Sequence, residues 1–355
     1  MQEEGEITWN TMVTQTYELT EECLQTNYYG AKRMVEALNT LLQLSHSPTI
    51  VNVSSFMGKL KEIPNEWAQG VLTDAESLTE EKLDEVLSEF LKDFKEGSLE
   101  AKVCRSLTSQ KVPPSSSMAE ATKRYAVVTG GNKGIGFETC RQLALNGVTV
   151  LLTSRDEKRG IEAVDKFKES GLSDLVLFHQ LDVTDPASIA SLADFIKATF
   201  GKLDILEIPN EWAQGVLTDA ESLTEEKLDE EIPNEWAQGV LTDAESLTEE
   251  KLDEVLSEFL KDFKEGSLEA KGWPAYTSAY IVSKAVLNAY TRILAKKYPS
   301  FCINCLCPGY VNTDINFHLG PLTAEESAKR VLRLALLPSG GPSGLFFVKN
   351  EVTPF

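Results

Sequence analysis

The sequence predicts an α/β protein built on a doubly wound parallel sheet that carries acidic helical insertions. Three observations predict it. From Tyr125 onward short apolar runs alternate with helix-length segments, a glycine-rich turn joins the first such run to the first such helix, and one long acidic segment recurs without change.

Taken in chain order, residues 18–44 read as one long helix, and TIVNVSS at 49–55 reads as a strand. That strand is apolar on both faces, so it is stable only when buried within a parallel sheet; left free, it would pair with other chains. The segment EIPNEWAQGVLTDAESLTEEKLDE then occupies 62–85 and returns at 207–230 and 231–254. The first and third copies continue identically to Lys102 and Lys271, an identity of 41 residues. Solenoid repeats keep only their core positions, so identity on this scale indicates a recent duplication or a misassembled gene. Within the copy, Ser77 or Thr79 caps a helix whose apolar stripe is Leu83, Val86, Leu87, Phe90, Leu91 and Phe94. The second copy stops at Glu230, before the positions equivalent to Leu87 and Phe90, and is predicted to be a dispensable loop or frayed helix. Residues 103–117, polar and rich in Ser and Pro, suit a linker.

From there YAVVTGG is a strand, 134–146 a helix, VTVLLTS a strand, 156–170 a helix, LVLFHQLDV a strand, 186–200 a helix and LDIL at 203–206 a strand. After the duplicated insert, a helix from about 276 to 297 leads to the strand CINCLCPG, a helix at 323–336 and a last strand, GLFFV. The chain thus divides into a displaced segment (1–61), a first insert (62–102), the linker, a dinucleotide-binding half (118–206), a duplicated insert (207–271) and a C-terminal half (272–355).

A net charge of −21 excludes the basic footprint that nucleic acid or an anionic membrane surface requires. Each 24-residue copy holds eight acidic residues against one Lys, so the three copies account for the whole of that charge. Six cysteines in a chain of 355 residues are too sparse for a disulfide scaffold and point to a reducing compartment. Cys302, Cys305 and Cys307 alternate with apolar residues as in a buried strand, which argues against metal ligation. The N-terminus lacks an apolar leader and no run of 18 apolar residues occurs, so a soluble, cytoplasmic protein is expected.

Strand, turn and helix at 125–146 carry TGGNKGIG, a Rossmann-like arrangement in which Gly130, Gly134 and Gly136 allow a tight turn and the approach of a pyrophosphate to a helix N-terminus. The next strand ends in Arg155 rather than in an acid that would hold a ribose 2′-hydroxyl. Arg155, helped by Lys133, suits a 2′-phosphate, hence NADP(H) over NAD. Tyr280 and Lys284, four apart in SAYIVSK on a predicted helix, project from one face. A lysine so placed lowers the phenol pKa and lets the tyrosine give a proton to a carbonyl substrate.

Together TGGNKGIG, LDV at 181–183, NVSS at 52–55, YIVSK and CPGYVNTD resemble the classical short-chain dehydrogenase/reductases. The acidic insert ahead of the tyrosine is similar to that of the plant monomeric carbonyl reductases of the salutaridine and menthone/neomenthol reductase kind. The resemblance implies an NADPH-dependent reduction of a ketone or aldehyde. Tyr280 would be the general acid, Lys284 its activator, Ser55 the donor to the substrate carbonyl and Asn27 the support of a proton relay. It also implies a cofactor surface of Gly130, Asn132, Lys133, Gly134, Ile135, Gly136, Arg155, Asp182, Val183, Lys284, Pro308, Gly309, Val311 and Thr313, with Asp182 at the adenine and Thr313 at the nicotinamide end. A small carbonyl compound is the implied partner and a monomer the implied state, the insert covering the face that other members use for pairing.

Departures from the family order are specific. No Asn-Asn-Ala-Gly turn follows Leu206, and the Asn-bearing helix and Ser-bearing strand precede the glycine loop instead of following the 203–206 strand. Two arrangements fit: the N-terminal block docks beside 203–206 and completes one sheet, or the chain is a fusion of two damaged reductases without a complete site. The two-sided apolarity of TIVNVSS favours the first.

Overall fold

The computed structural model describes residues 16–58, 123–208, 235–243, 246–271, 278–314, 318 and 320–354. The first insert, the linker and residues 209–230 of the second copy lie outside them.

Among the described residues eight strands form one sheet: β1 (Thr49–Val53), β2 (Tyr125–Val128), β3 (Thr149–Ser154), β4 (Val176–Gln180), β5 (Ile205–Ile208), β6 (Cys302–Cys307), β7 (Phe346–Val348) and β8 (Glu351–Thr353). Their spatial order is β4-β3-β2-β5-β1-β6-β7-β8. The strand that comes first in the chain therefore sits in the interior of the sheet, parallel to both neighbours, with Thr49 opposite Ile205 on one side and Cys302 on the other. All five of its residues are buried, as a strand apolar on both faces demands. The expectation that TIVNVSS lies beside the 203–206 strand is met.

Helices cover both faces. On one lie α1 (Tyr17–Leu24), α2 (Gly30–Leu42), α5 (Pro186–Thr199), α7 (Glu249–Lys264) and α8 (Ser278–Lys297), whose apolar residues join Ile50, Val127, Leu151, Leu206 and Ile303 in one core. On the other, α3 (Gly134–Leu145), α4 (Glu157–Glu169) and α9 (Ala324–Ala335) pack on Val51, Val53, Val128, Val150 and Leu306. Period-2 alternation along β1 explains the division, Ile50 facing one layer and Val51 and Val53 the other. A short α6 (Glu235–Thr242) completes the helices described.

Several boundaries differ from the sequence reading. The 18–44 helix is two helices joined by a π turn at Gln25–Tyr29, closed by the Gly30 N–H to the Gln25 carbonyl. A single π turn adds one residue to an otherwise helical run, too short an event to read from the spacing of a long segment. Strand β4 ends at Gln180, so Leu181, Asp182 and Val183 belong to a loop, held where the Asp182 carboxylate accepts from the Thr184 N–H at 2.8 Å. Strand β8 was not foreseen; it turns back from β7 through Lys349 and Asn350, both at positive φ (50° and 72°), the two-residue hairpin geometry.

The most consequential difference is at β5, which does not stop at Leu206. It runs through Glu207 and Ile208, the first two residues of the second copy, pairing Val51 with Glu207, Asn52 with Ile208 and Val128 with Glu207. Both residues are buried, so the second copy is not wholly a loop. Neighbouring strands β1 and β2 present backbone groups that must be bonded, and the ladder extends to satisfy them whatever side chain follows. A carboxylate thereby enters the sheet interior. At position 207 the backbone is held between β1 and β2, so Glu207→Pro, which has no N–H to give to a ladder, should lower stability by about 2–4 kcal/mol. Urea denaturation at neutral pH measures it.

Candidate active site

The sheet reverses its winding between β2 and β5, since β3 and β4 follow β2 on one side while β5 begins the other. In an open α/β sheet the crevice at the carboxyl ends of such strands is where ligands bind. The glycine loop follows β2 at that point. Gly130 and Gly134 have φ of 61° and 56°, the left-handed region that suits glycine. A Cβ on Gly136 would lie 2.6 Å from the Gly130 carbonyl oxygen, so only glycine lets α3 start so close to the turn. Lys133, the N-cap of α3, makes no side-chain capping bond, which leaves first-turn N–H groups directed at the crevice. These features fit a pyrophosphate.

The other predicted cofactor residues follow the ends of β2, β3, β4 and β6. Thr313 is in van der Waals reach of Gly134, whose added Cβ would stand 3.4 Å from it. Gly309, at φ 91°, follows β6, and the preceding Pro308 carbonyl accepts from Ser327 and Arg330. Val311 is buried and bridges to Leu322, while Val183 is buried where α2 passes, an added Cβ on Gly30 meeting it at 2.8 Å. Asn132 and Ile135 are half-buried in the loop itself. Arg155 is exposed at the end of β3, its carbonyl accepting from the Gln180 amide at 2.9 Å. Lys133 is exposed in the same loop, and its ammonium pairs with Asp314 at 2.8 Å, an exposed bridge from the glycine loop to the segment after β6. The partners are 181 positions apart, and no sequence spacing signals them.

The proposed catalytic residues converge on α8. Tyr280 and Lys284 share a face, the Lys284 Nζ standing 5.7 Å from the Tyr280 ring centroid. That ammonium donates to the Val53 carbonyl at 3.4 Å, and the Ser54 hydroxyl donates to the Lys284 carbonyl at 3.4 Å, so the end of β1 that bears Ser55 lies against the Lys284 turn of the helix. Ser55 is buried, its hydroxyl accepting from the Met57 N–H. Beyond it the turn at Phe56–Gly58 is pressed on α8: a Cβ on Gly58 would lie 2.6 Å from the Lys284 carbonyl carbon, and the Asn288 amide donates to the Gly58 carbonyl at 3.0 Å. Further along, Asn52 donates to Thr291 at 3.0 Å.

Asn27 lies in the π turn. Its side-chain amide donates to the Ser283 hydroxyl at 3.0 Å and to the Cys23 sulfur at 3.5 Å, and Ser283 in turn donates to the Tyr280 carbonyl. The side chain thus ties the Asn-bearing helix to the Tyr/Lys helix one residue before Lys284. Sequence reading missed Ser283, Cys23, Asn288 and Thr291 in this seam; the available signal was a set of polar residues on a helix whose surroundings are apolar.

Burial pushes the Lys284 ammonium down from its ordinary 10.5 to about 7, with the Cys23 sulfur pulling weakly the other way. Burial likewise pushes the Cys23 thiol up to about 12, so it stays protonated at neutral pH. The cysteines of β6 are buried in the strand as expected, Cys302 and Cys305 facing the backbone carbonyls of Pro338 and Leu345.

Four similarities bear on this geometry. The family model described as short chain dehydrogenase matches residues 124–233. "Short-chain dehydrogenase/reductase 1" of Saponaria officinalis is 50% identical over 325 residues, covering 67% of this chain and all of that protein. The "(+)-neomenthol dehydrogenase" of Capsicum annuum is 47% identical over 338 residues, with the same coverage. Among solved structures, that of salutaridine reductase from Papaver somniferum is 41% identical and superposes with a TM-score of 0.56, covering 63% of this chain and 99% of that one.

The lysine generates a pH prediction. The unfolded chain holds the Lys284 proton up to about 10.5 and the folded chain releases it near 7, so the unfolded state binds more protons in between and stability rises with pH. Between pH 7 and 9 the ligand-free protein should gain stability with a slope approaching about 1.4 kcal/mol per pH unit from this group. Lys284→Met should remove that slope, and the difference between the two denaturation series isolates it.

Proposed function

Because the chain belongs to the short-chain dehydrogenase family, we propose that it is an NADPH-dependent carbonyl reductase, converting a ketone or aldehyde of a small hydrophobic metabolite to an alcohol. The observation that carries the proposal is the seam between β1 and α8, which brings the Ser55 end of the strand, Tyr280 and Lys284 to one place, with Asn27 one hydrogen bond away through Ser283.

The glycine loop and the first turn of α3 hold the pyrophosphate of NADP(H), Arg155 its 2′-phosphate, Asp182 and Val183 the adenine side, and Pro308, Gly309, Val311 and Thr313 the nicotinamide side. When bound there, the reduced cofactor would supply a hydride to the carbonyl carbon. Ser55 donates a hydrogen bond to the carbonyl oxygen, and Tyr280 gives that oxygen its proton. Lys284 in its ammonium form stabilises the phenolate left behind, and Asn27 keeps the lysine's helix in register with the π turn. Release of the Lys284 proton near pH 7 in the ligand-free protein means that an anionic cofactor, by favouring the charged form, would restore the ammonium.

Helix α7 packs on α1 and α8 and is ion-paired to α2, covering the helical face on which a second subunit would pair; a monomer is the reading this supports. No helix among the described residues is long and apolar enough to cross a membrane. The five cysteines among the described residues are all free thiols, which supports a reducing, cytoplasmic setting.

A second reading, a cofactor-binding protein without turnover, is favoured by one feature: Glu-Ile-Pro-Asn follows Leu206 where the family carries Asn-Asn-Ala-Gly. Tyr280→Phe separates the two. It should abolish carbonyl-dependent NADPH oxidation by at least about a hundredfold while NADPH binding persists; a parent enzyme with binding and no turnover on any ketone would establish the second. Arg155→Ala should weaken NADPH binding by roughly ten- to a hundredfold and leave NADH unchanged, read by isothermal titration.

A further inference from the structure

The turn that follows β6 is gripped by α9. The Pro308 carbonyl has two lone pairs and accepts twice, from the Ser327 hydroxyl at 3.2 Å and from the Arg330 guanidinium at 3.0 Å. Ser327 is buried and Arg330 half-buried, and a spacing of three puts them on one face of the helix. Gly309 comes next at φ 91°, and a Cβ there would lie 2.8 Å from the Arg330 Nη1 and 2.5 Å from a Leu322 methyl carbon. The guanidinium thus fills the space that a side chain at 309 would need.

Beyond the turn the start of the same helix keeps hold of the chain. Leu322, just ahead of the Thr323 cap of α9, donates its N–H to the Tyr310 carbonyl at 3.2 Å and accepts from the Asn312 N–H at 2.7 Å. Helix α9 is in turn bound to α3, whose first turn faces the crevice. The Gln142 side-chain amide donates to the Glu325 carbonyl at 3.0 Å, and Val331, Leu334 and Ala335 share a core with Cys140, Leu143 and Ala144. One helix therefore links the pyrophosphate end of the crevice to the Val311–Thr313 segment. Of its grips on that segment the guanidinium is the strongest, since a hydrogen bond from a charged donor outweighs a neutral one by roughly two to one.

We propose that Arg330, seconded by Ser327, is a positioning residue for the nicotinamide end of the cofactor. By fixing the Pro308 carbonyl it sets the turn at Gly309, and hence where Val311 and Thr313 stand relative to the glycine loop. The proposal rests on the reading of this crevice as an NADP(H) site. Because Arg330 acts through the backbone after β6, it governs the nicotinamide and leaves the 2′-phosphate and pyrophosphate subsites, carried by β3 and by β2 with α3, as they are.

The test titrates the full-length parent and Arg330→Met calorimetrically with NADPH and with 2′-phospho-ADP-ribose, the same molecule without its nicotinamide. Positioning predicts that the variant binds NADPH at least about tenfold more weakly, as the loss of one charge-assisted hydrogen bond implies, while its affinity for 2′-phospho-ADP-ribose changes by less than about twofold. Arg330→Lys should recover part of the loss. Arg333→Met removes a similar bond, to the Asn350 carbonyl at 2.7 Å in the β7–β8 turn, and should change neither affinity. Equal weakening toward both ligands would make Arg330 a support of the fold alone and overturn the proposal, as would no change toward either. Should Arg330→Met fail to fold, Ser327→Ala, which keeps the charge and removes the other donor, must show the same split between the two ligands. A parent that fails to bind NADPH would instead defeat the cofactor reading itself, and the proposal with it.

Discussion

The structure depends on the insertion of β1 between β5 and β6. Its backbone completes two parallel ladders at once, so without it the sheet would fall into β4-β3-β2-β5 on one side and β6-β7-β8 on the other, each with a bare apolar edge. The same insertion delivers chemistry. Ser54 and Ser55 arrive at the Lys284 turn of α8 because β1 runs parallel to β6, and Asn27 arrives because its helix covers the face over β1. Chain order does not enter: what fixes the site is the demand of a two-sided apolar strand for two partners, and the sheet has one vacancy of that kind.

The close fit along this seam explains its sensitivity. Gly58 admits no side chain against the α8 backbone, and Asn52, Ser54, Asn27 and Asn288 each use a hydrogen bond to cross between segments more than 200 positions apart in sequence. A buried polar seam is costly when half-made, so register errors between the two segments are penalised well beyond the loss of apolar contact.

Much of this was legible beforehand, and for identifiable reasons. TIVNVSS announced its burial by being apolar on both faces, and the glycine loop and the Tyr280–Lys284 pair announced themselves by spacing within single elements. What stayed hidden involved groups whose meaning comes from a distant partner. Glu207 looks like the first residue of an acidic surface segment; it is drawn into the sheet because β1 and β2 continue their ladders past Leu206. The π turn around Asn27 shifts the hydrogen-bond register and the facing of the residues after it by one position, a change too local to read from a periodicity that spans the whole segment. The bridge from Lys133 to Asp314 joins residues 181 positions apart, and no spacing within one element marks it.

The position of β1 also has a consequence during synthesis. Its end meets Lys284 across 231 positions of chain. At typical elongation rates of about 5–20 residues per second, an aggregation-prone strand therefore waits on the order of ten to fifty seconds after it is made before α8 and β6 exist to cover it. In that interval the nascent chain has an acidic segment directly behind the strand, and the repulsion between such segments on neighbouring ribosomes would keep the waiting strands apart.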